Sequence, residues 1–151
     1  MSACQGGHLE VVRELLGHGA NVNAAQTDDG WTALMETCHK GHLLVVRELL
    51  GRGANVNAAR TNDSWTSLMS ACRQGHLEVV RELLGRGANV NAAHTRNGWT
   101  SLISACHYGH LEVARLLLAH HANRASVSVN GRTAYDLTPA ANAELRALVT
   151  P

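Results

Sequence analysis

GHLLVVRELLGRGANVNAA (residues 41–59) recurs almost unchanged elsewhere in the same chain. Copies begin at Gly7 and Gly75, each 34 residues from the copy at Gly41, and a degraded copy begins at Gly109. A fixed period of this length is typical of a solenoid, in which each unit buries its apolar face only against its neighbours. The extended surface of such a stack usually serves as a binding surface.

The composition is that of an ordered chain without a strong electrostatic partner. Hydrophobic residues make up 45% of the 151 residues, only two prolines occur, and the formal net charge is +1. No apolar run approaches the roughly 20 residues that span a bilayer, and the N-terminus has no basic stretch followed by an apolar one. We therefore expect no nucleic-acid partner, no membrane partner and no small-molecule substrate.

The sequence pattern of each repeat predicts two helices. The second lies within residues 42–52, is ended by Gly51 and Gly53, and carries one apolar stripe formed by Leu43, Val46, Leu49 and Leu50. A shorter first helix is predicted from about Thr32 to His39. Threonine hydroxyls accept hydrogen bonds from the first turn of a helix. The predicted N-caps are Thr32, Thr66, Thr100 and Thr133.

Two further segments have local signals. Residues 26–30 (QTDDG) contain residue types that tolerate positive φ, and they predict a projecting, hairpin-like loop between one repeat and the next. Near the C-terminus, Thr138 followed by Pro139 predicts an N-cap and first turn for a helix that runs to about Val149.

Four cysteines occur once per repeat in the same register. Equivalent positions in stacked repeats lie about 8–10 Å apart, which exceeds the roughly 7 Å limit for disulfide-bonded Cα atoms. We therefore interpret the thiols as small buried hydrophobes, and reduced thiols favour an intracellular protein, cytoplasmic or nuclear. The cysteines are Cys4, Cys38, Cys72 and Cys106.

The order helix, tight turn, helix and projecting loop resembles the ankyrin repeat, and the resemblance covers essentially the whole chain. Residues 32–35 (TALM) match the family's Thr-Pro-Leu-His opening, and residues 41–46 and 53–58 match its Gly-His-Leu-x-Val-Val and Gly-Ala-x-Val-Asn-Ala blocks. Two departures stand out: the Pro and His of the opening are replaced, and each internal loop has one extra residue. The resemblance implies an all-α solenoid of stacked helix-turn-helix units with projecting hairpin-like loops.

The resemblance also implies one domain over residues 1–151. Its predicted units are an incomplete first repeat at 1–27, internal repeats at 28–61, 62–95 and 96–128, and a C-terminal capping repeat at 129–151. The recurring histidines of the Gly-His step are assigned by the family to holding the turn, and they are His8, His42, His76 and His110. The chain opens within a repeat, so we expect either a fragment of a longer array or a weak N-terminal cap.

Candidate binding residues are the positions at which near-identical repeats differ. In ankyrin-repeat proteins the matching positions form a concave palm and loop tips, called fingers, that contact a partner. The implied finger residues are Gln26, Asp28, Arg60, Asn62, His94 and Arg96, and the implied palm residues are His39, Lys40, Arg73, Gln74, His107 and Tyr108.

Every tryptophan of the chain precedes a helix-opening threonine. Because equivalent positions in stacked repeats are about 8–10 Å apart, the indole rings do not stack on one another. Each ring then needs another neighbour, either the aliphatic atoms of the adjacent loop, such as Ala25 or Ala59, or a bound partner. The residues are Trp31, Trp65 and Trp99.

Three classes of function can be compared with these features. The first is a monomeric, non-enzymatic module that binds a partner protein through its concave face and loop tips. The second is a designed or consensus-like structural scaffold without a ligand. The third, an enzyme, lacks support because no nucleophile has a base at a recognisable spacing, and neither an HExxH nor a CxxC motif occurs. We accordingly predict no catalytic residue, no metal site and no cofactor.

Overall fold

The structure is a stack of helix pairs. The computed structural model describes residues 2–150, and the first, inner helix of each pair contacts the inner helix of the next pair, while the outer helices contact one another in the same order. The all-α solenoid expected from the repeats is therefore confirmed. The helices are α1 Ser2–Gln5, α2 Leu9–Gly17, α3 Ala33–Lys40, α4 Leu43–Gly51, α5 Ser67–Gln74, α6 Leu77–Gly85, α7 Ser101–His107, α8 Leu111–Ala119, α9 Ala134–Leu137 and α10 Ala143–Leu148.

Threonine starts four of the inner helices, as the sequence predicts. The Thr66 hydroxyl accepts a hydrogen bond from the Met69 backbone N–H at 3.3 Å, and this satisfies one of the donors that a helix N-terminus leaves unpaired. At Thr133 the cap is reciprocal, because the Asp136 carboxylate accepts a hydrogen bond from the Thr133 backbone N–H and completes a capping box. The same threonine cap starts the helices that follow Thr32 and Thr100.

The predicted helix from Pro139 to Val149 is wrong at its start. Thr138 ends α9 in an extended conformation, with φ −73° and ψ 129°, and its hydroxyl donates to the Ala134 carbonyl. A residue before proline is disfavoured in the helical region, so the chain turns before the next helix begins. Asn142 then caps α10 by accepting from the Leu145 N–H at 3.1 Å.

The core is a continuous ribbon between the two helical layers. In α6 the apolar stripe of Val79, Val80, Leu83 and Leu84 is buried. All four cysteines are free and buried, which confirms their interpretation as core residues. Burial raises the pKa of Cys106 to about 11 and also raises the pKa of Cys38 and Cys72 well above the usual thiol range.

Polar side chains join each repeat to the next. The Nε2 of His76 lies 3.1 Å from the His39 carbonyl of the preceding pair, and His42 and His110 make the equivalent bond. Asn57 contacts the following repeat twice, donating from Nδ2 to the Gly87 carbonyl and accepting at Oδ1 from the Asn89 N–H. The three histidines therefore have a structural role, but their side-chain bonds join neighbouring repeats and make no cap bond to the helix that follows.

The outer helices are joined by ion pairs between neighbouring repeats. Arg47 Nε lies 2.9 Å from Glu82 Oε2, and Arg13 pairs with Glu48 in the same way. The outer helices therefore carry a charged, solvent-facing surface whose charges are largely neutralised within the stack. Such exposed pairs contribute little each, typically about 0.2–1 kcal/mol.

The loops between repeats are short hairpins, as predicted. Isolated antiparallel bridges join the ends of three fingers, which we define as residues 25–32, 59–66 and 93–100. One residue near the end of each finger has a positive φ. This residue is a glycine in the first and third fingers, and it is Ser64, with φ 60°, in the middle finger.

Ser64→Gly is expected to stabilise the protein. A side chain in the left-handed region costs about 1–2 kcal/mol, and part of this gain is offset by the greater freedom of glycine in the unfolded chain. We expect a net rise of about 0.5–1 kcal/mol in the free energy of unfolding, measured by urea denaturation. A fall would show that the Ser64 side chain makes a compensating contact.

Candidate functional site

The fingers form one continuous surface because each is hydrogen-bonded to the next. The Thr61 N–H donates to the Asp29 carbonyl at 3.0 Å, and the Thr95 N–H donates to the Asp63 carbonyl at 2.8 Å. The Val129 N–H continues the series to Asn97. These bonds fix the spacing of the finger tips.

A row of polar side chains runs across the fingers. Arg60 reaches Asp29 at 3.0 Å and Asp63 at 3.6 Å, and Asp63 lies 3.4 Å from His94 Nε2. His94 Nδ1 is in turn 2.7 Å from Asn97 Oδ1. His94 is only 9% exposed, so this residue and Arg60 hold neighbouring fingers together.

The tryptophans lie against the inner helices, and each indole has a polar or cationic neighbour. Trp31 Nε1 donates to Glu36 at 2.9 Å, and Trp65 Nε1 donates to the Ser70 hydroxyl at 2.7 Å. The Arg60 guanidinium lies 5.4 Å from the Trp31 ring centroid. Cations and histidines are thus among the neighbours of the indole rings, which the sequence does not indicate.

Three exposed palm residues and two partly buried tryptophans meet in one cluster, which we call the palm cluster: Arg73, His107, Tyr108, Trp65 and Trp99. The Arg73 guanidinium lies 6.0 Å from the Trp65 ring centroid and 5.5 Å from that of Tyr108. The His107 ring is edge-on to Tyr108 and Trp99, at 4.9 Å from each. Tyr108 remains 44% exposed.

Beside the cluster, the ends of α3 and α5 place three polar residues together. Gln74 Nε2 lies 3.3 Å from His39 Nδ1, and Lys40 adjoins them at an exposed position. Partial burial is the main cause that lowers the pKa of His39, and the charge of Lys40 lowers it further.

His39 is therefore expected to be neutral at pH 7. Its pKa is lower in the folded chain than the unperturbed value of about 6.5, so the unfolded chain takes up the proton more readily and stability falls as the pH drops below about 6.5. Proton NMR should show a His39 midpoint below 6.5, and His39→Asn should flatten the pH dependence of unfolding. A midpoint above 6.5 would contradict the burial argument.

The structure separates the candidate finger residues into two sets. The exposed finger tips are Gln26, Asp28, Asn62 and Arg96, whereas Arg60 and His94 are engaged within the fingers. Sequence reasoning missed the residues that orient the tryptophans and fingers. Their signal was available, because these polar positions recur once per repeat. They are Asp29, Glu36, Asp63, Ser70 and Asn97.

Within residues 2–150, no group of three or more histidine, cysteine, aspartate or glutamate side chains is arranged to hold a metal ion. None of the described helices is long and apolar enough to cross a membrane. The palm cluster presents aromatic rings and an arginine together.

The stacked pairs, fingers and palm define a helical repeat protein with an extended lateral surface. A family model for ankyrin repeats (3 copies) matches residues 1–94 and 89–145. The chain belongs to the ankyrin-repeat family. A search of curated proteins finds no relative that matches the chain. Ankyrin repeats are generally protein-protein interaction modules, and the family is typically non-enzymatic.

Proposed function

We propose that the protein binds a partner protein through the palm cluster and the exposed finger tips, and that it has no catalytic activity of its own. The observation that carries this proposal is the exposed Arg73, placed between the rings of Trp65 and Tyr108. Tryptophan, tyrosine and arginine are the residues enriched at binding hot spots.

The charge distribution favours a partner with acidic side chains. Among the ion pairs of the described residues, none includes Lys40, Arg73 or Arg96, whereas the arginines of the outer helices are mostly paired with glutamates. A carboxylate brought to Arg73 gains a charge-assisted hydrogen bond without breaking an existing ion pair. The flanking rings then exclude water from that bond.

The palm is also held in position before a partner arrives. Indole N–H groups of Trp31 and Trp65 are hydrogen-bonded, and the fingers are joined by backbone bonds. A surface that is ordered beforehand loses less conformational entropy on association. We propose a monomeric, intracellular module, since its four cysteines are free and buried.

The partner is sought by affinity capture from extract of the source cells, using the chain as bait and mass spectrometry to quantify retained proteins. The double variant Arg73→Ala/Tyr108→Ala removes two exposed groups of the palm cluster. We expect a protein retained by the unaltered chain to be lost from this variant.

Leu44→Ala is the matched control. Leu44 is an apolar residue of α4 with 62% exposure, so it tests whether loss of any exposed apolar group has the same effect. The control should retain the captured protein. Equal retention by all three chains would contradict the proposed palm site, and loss from the control would show that binding is not specific to the palm.

A further inference from the structure

The three tryptophans have the same register in their repeats, but their indole N–H groups are used differently. Trp31 donates to the Glu36 carboxylate at 2.9 Å. Trp65 donates to the Ser70 hydroxyl at 2.7 Å, so in both repeats the acceptor lies five residues later in the chain. Trp99 is hydrogen-bonded only through its backbone, and its Nε1–H has no acceptor within residues 2–150. Because this nitrogen is not enclosed by the protein, the donor remains open on the palm.

Ser104 is the residue that matches Ser70 as an acceptor for the third indole. Its side chain is 1% exposed, and its Oγ has no hydrogen-bond partner within the described residues. Buried hydroxyl groups are nearly always hydrogen-bonded. The equivalent Ser70 both accepts from Trp65 and donates to the Thr66 carbonyl. The Trp99 N–H and the Ser104 hydroxyl could satisfy each other, yet they remain apart.

His107 provides a competing contact for the Trp99 ring. The two ring centroids are 4.9 Å apart in an edge-on contact, and His107 meets the Tyr108 ring at the same distance. Arg73 occupies the equivalent position in the preceding repeat, where its guanidinium lies 6.0 Å from the Trp65 ring centroid. In the third repeat a ring contact therefore replaces the internal hydrogen bond, and the indole donor is left free.

We propose that the Trp99 Nε1–H donates a hydrogen bond to an aspartate or glutamate side chain of the partner protein, and that it contributes in this way to the specificity of the palm cluster. The inference rests on the proposed function, because the partner supplies the carboxylate. Trp31 provides the precedent within the same chain, since its indole N–H is bonded to the carboxylate of Glu36. Position 104, which matches Glu36, is a serine, so the corresponding carboxylate is absent from the third repeat.

Positive charge on the palm favours a carboxylate over a neutral acceptor. Lys40 and Arg73 are exposed on this face and make no ion pair within residues 2–150. A hydrogen bond to an ionised acceptor is shorter and roughly twice as strong as one between neutral groups. A backbone carbonyl of the partner would gain little from the neighbouring cations. The expected ligand is therefore an acidic side chain, to which Trp99 adds a directional bond.

Hydrogen exchange of the indole N–H groups tests the first step in the unbound protein. The three Nε1–H signals of the nitrogen-15-labelled chain are assigned by single Trp→Phe substitutions, and their exchange with water is measured by NMR. We expect the Trp99 N–H to exchange at least about tenfold faster than those of Trp31 and Trp65, because only the latter two are hydrogen-bonded. Equal protection of all three would overturn the proposal, since the Trp99 donor would then be satisfied within the chain.

A defined probe, acetyl-glutamate N-methylamide, tests the carboxylate. A single charge-assisted contact binds weakly, so the titration extends to about 100 mM at constant ionic strength. Acetyl-glutamine N-methylamide is the neutral control of similar shape. We expect the Trp99 Nε1–H resonance to move downfield with the glutamate probe, by more than the other two indole resonances, and to move little with the glutamine probe. No selective movement, or equal movement with both probes, would contradict the proposal.

Ser104→Gln supplies an internal acceptor to the free indole. Its amide oxygen reaches toward Trp99 as Glu36 reaches Trp31, without adding charge. We expect slower exchange of the Trp99 N–H and loss of its response to the glutamate probe. Ser70→Gln is the matched control, because it leaves the Trp99 donor free and should leave the response unchanged. A full response in Ser104→Gln despite slower exchange would show that the probe does not bind at this donor.

Trp99→Phe tests the same donor in the complex. It keeps an aromatic ring beside His107 but removes the N–H, and we expect the protein captured by the unaltered chain to bind about tenfold more weakly. Trp31→Phe removes a donor that is already bonded to Glu36, and its affinity should stay within about threefold of the unaltered chain. Equal affinities of the two variants would contradict the proposal.

The outcomes distinguish this inference from the proposed function. If Trp99→Phe binds normally and Arg73→Ala/Tyr108→Ala does not, only the role of Trp99 is wrong. If the double variant also binds normally, the palm site itself is wrong. The exchange and probe measurements then still determine whether the Trp99 donor is free and responds to a carboxylate.

Discussion

Gly41→Ala is expected to lower the free energy of unfolding by about 3–4 kcal/mol. Gly41 has φ 79°, a conformation that costs other residues about 1–2 kcal/mol. An added Cβ would also lie 2.7 Å from Nδ1 of His76, whose ring is held by the His39 carbonyl. Moving the ring away breaks that hydrogen bond, at a further cost of about 1–3 kcal/mol.

Gly53→Ala distinguishes the cost of the backbone conformation from the cost of the contact with the His76 ring. Gly53 has φ 85°, close to that of Gly41, but its added Cβ would meet nothing within 4 Å. We expect a loss of about 1–2 kcal/mol, which reflects the backbone term alone. Urea unfolding of both variants provides the comparison, and equal losses would show that the histidine contact between repeats has no energetic weight.

Leu83→Ala is expected to cost about 3–4 kcal/mol. Leu83 lies in α6 and is 0% exposed, so truncation removes apolar burial and leaves a cavity between helices. Thermal and urea unfolding both measure this loss. A loss below about 1 kcal/mol would contradict the description of the core as a ribbon packed between repeats.

Leu15→Ala is its control because the two leucines have the same register. Leu15 is 51% exposed at the N-terminal end of the stack, so its truncation should cost about 1 kcal/mol or less. The difference between the two variants measures what a neighbouring repeat contributes to burial.

The repeat pattern predicted most of the fold because each local signal agreed with the period. Threonine caps and the buried cysteines occur in the expected places. The apolar stripe of the outer helices differs at one position, because Val45 is buried in α4 whereas the predicted Leu43 is only partly buried. The C-terminal helix was misplaced because Thr138 and Pro139 satisfy the pattern of a helix start. In the structure, the Thr138 hydroxyl bonds back to Ala134 and ends the preceding helix instead.

The site was predicted less completely, since sequence variation does not show which way a side chain points. His94 differs between repeats and was assigned to a finger tip, but it is buried beside Asp63 and the edge of the Trp65 ring. Arg73 and Tyr108 belong to different repeats, and their approach depends on the stacking geometry. Only the three-dimensional structure brings the Arg73 guanidinium to 5.5 Å from the centroid of the Tyr108 ring.

The central claim is that partner binding depends on the palm cluster. Its most direct test is the dissociation constant of the captured partner, measured by calorimetry for the unaltered chain, Arg73→Ala/Tyr108→Ala and Leu44→Ala. We expect the double variant to bind at least about 30-fold more weakly, as removal of a hot spot costs about 2 kcal/mol or more. The Leu44 variant should bind within about twofold of the unaltered chain. An unchanged dissociation constant in the double variant would contradict the account.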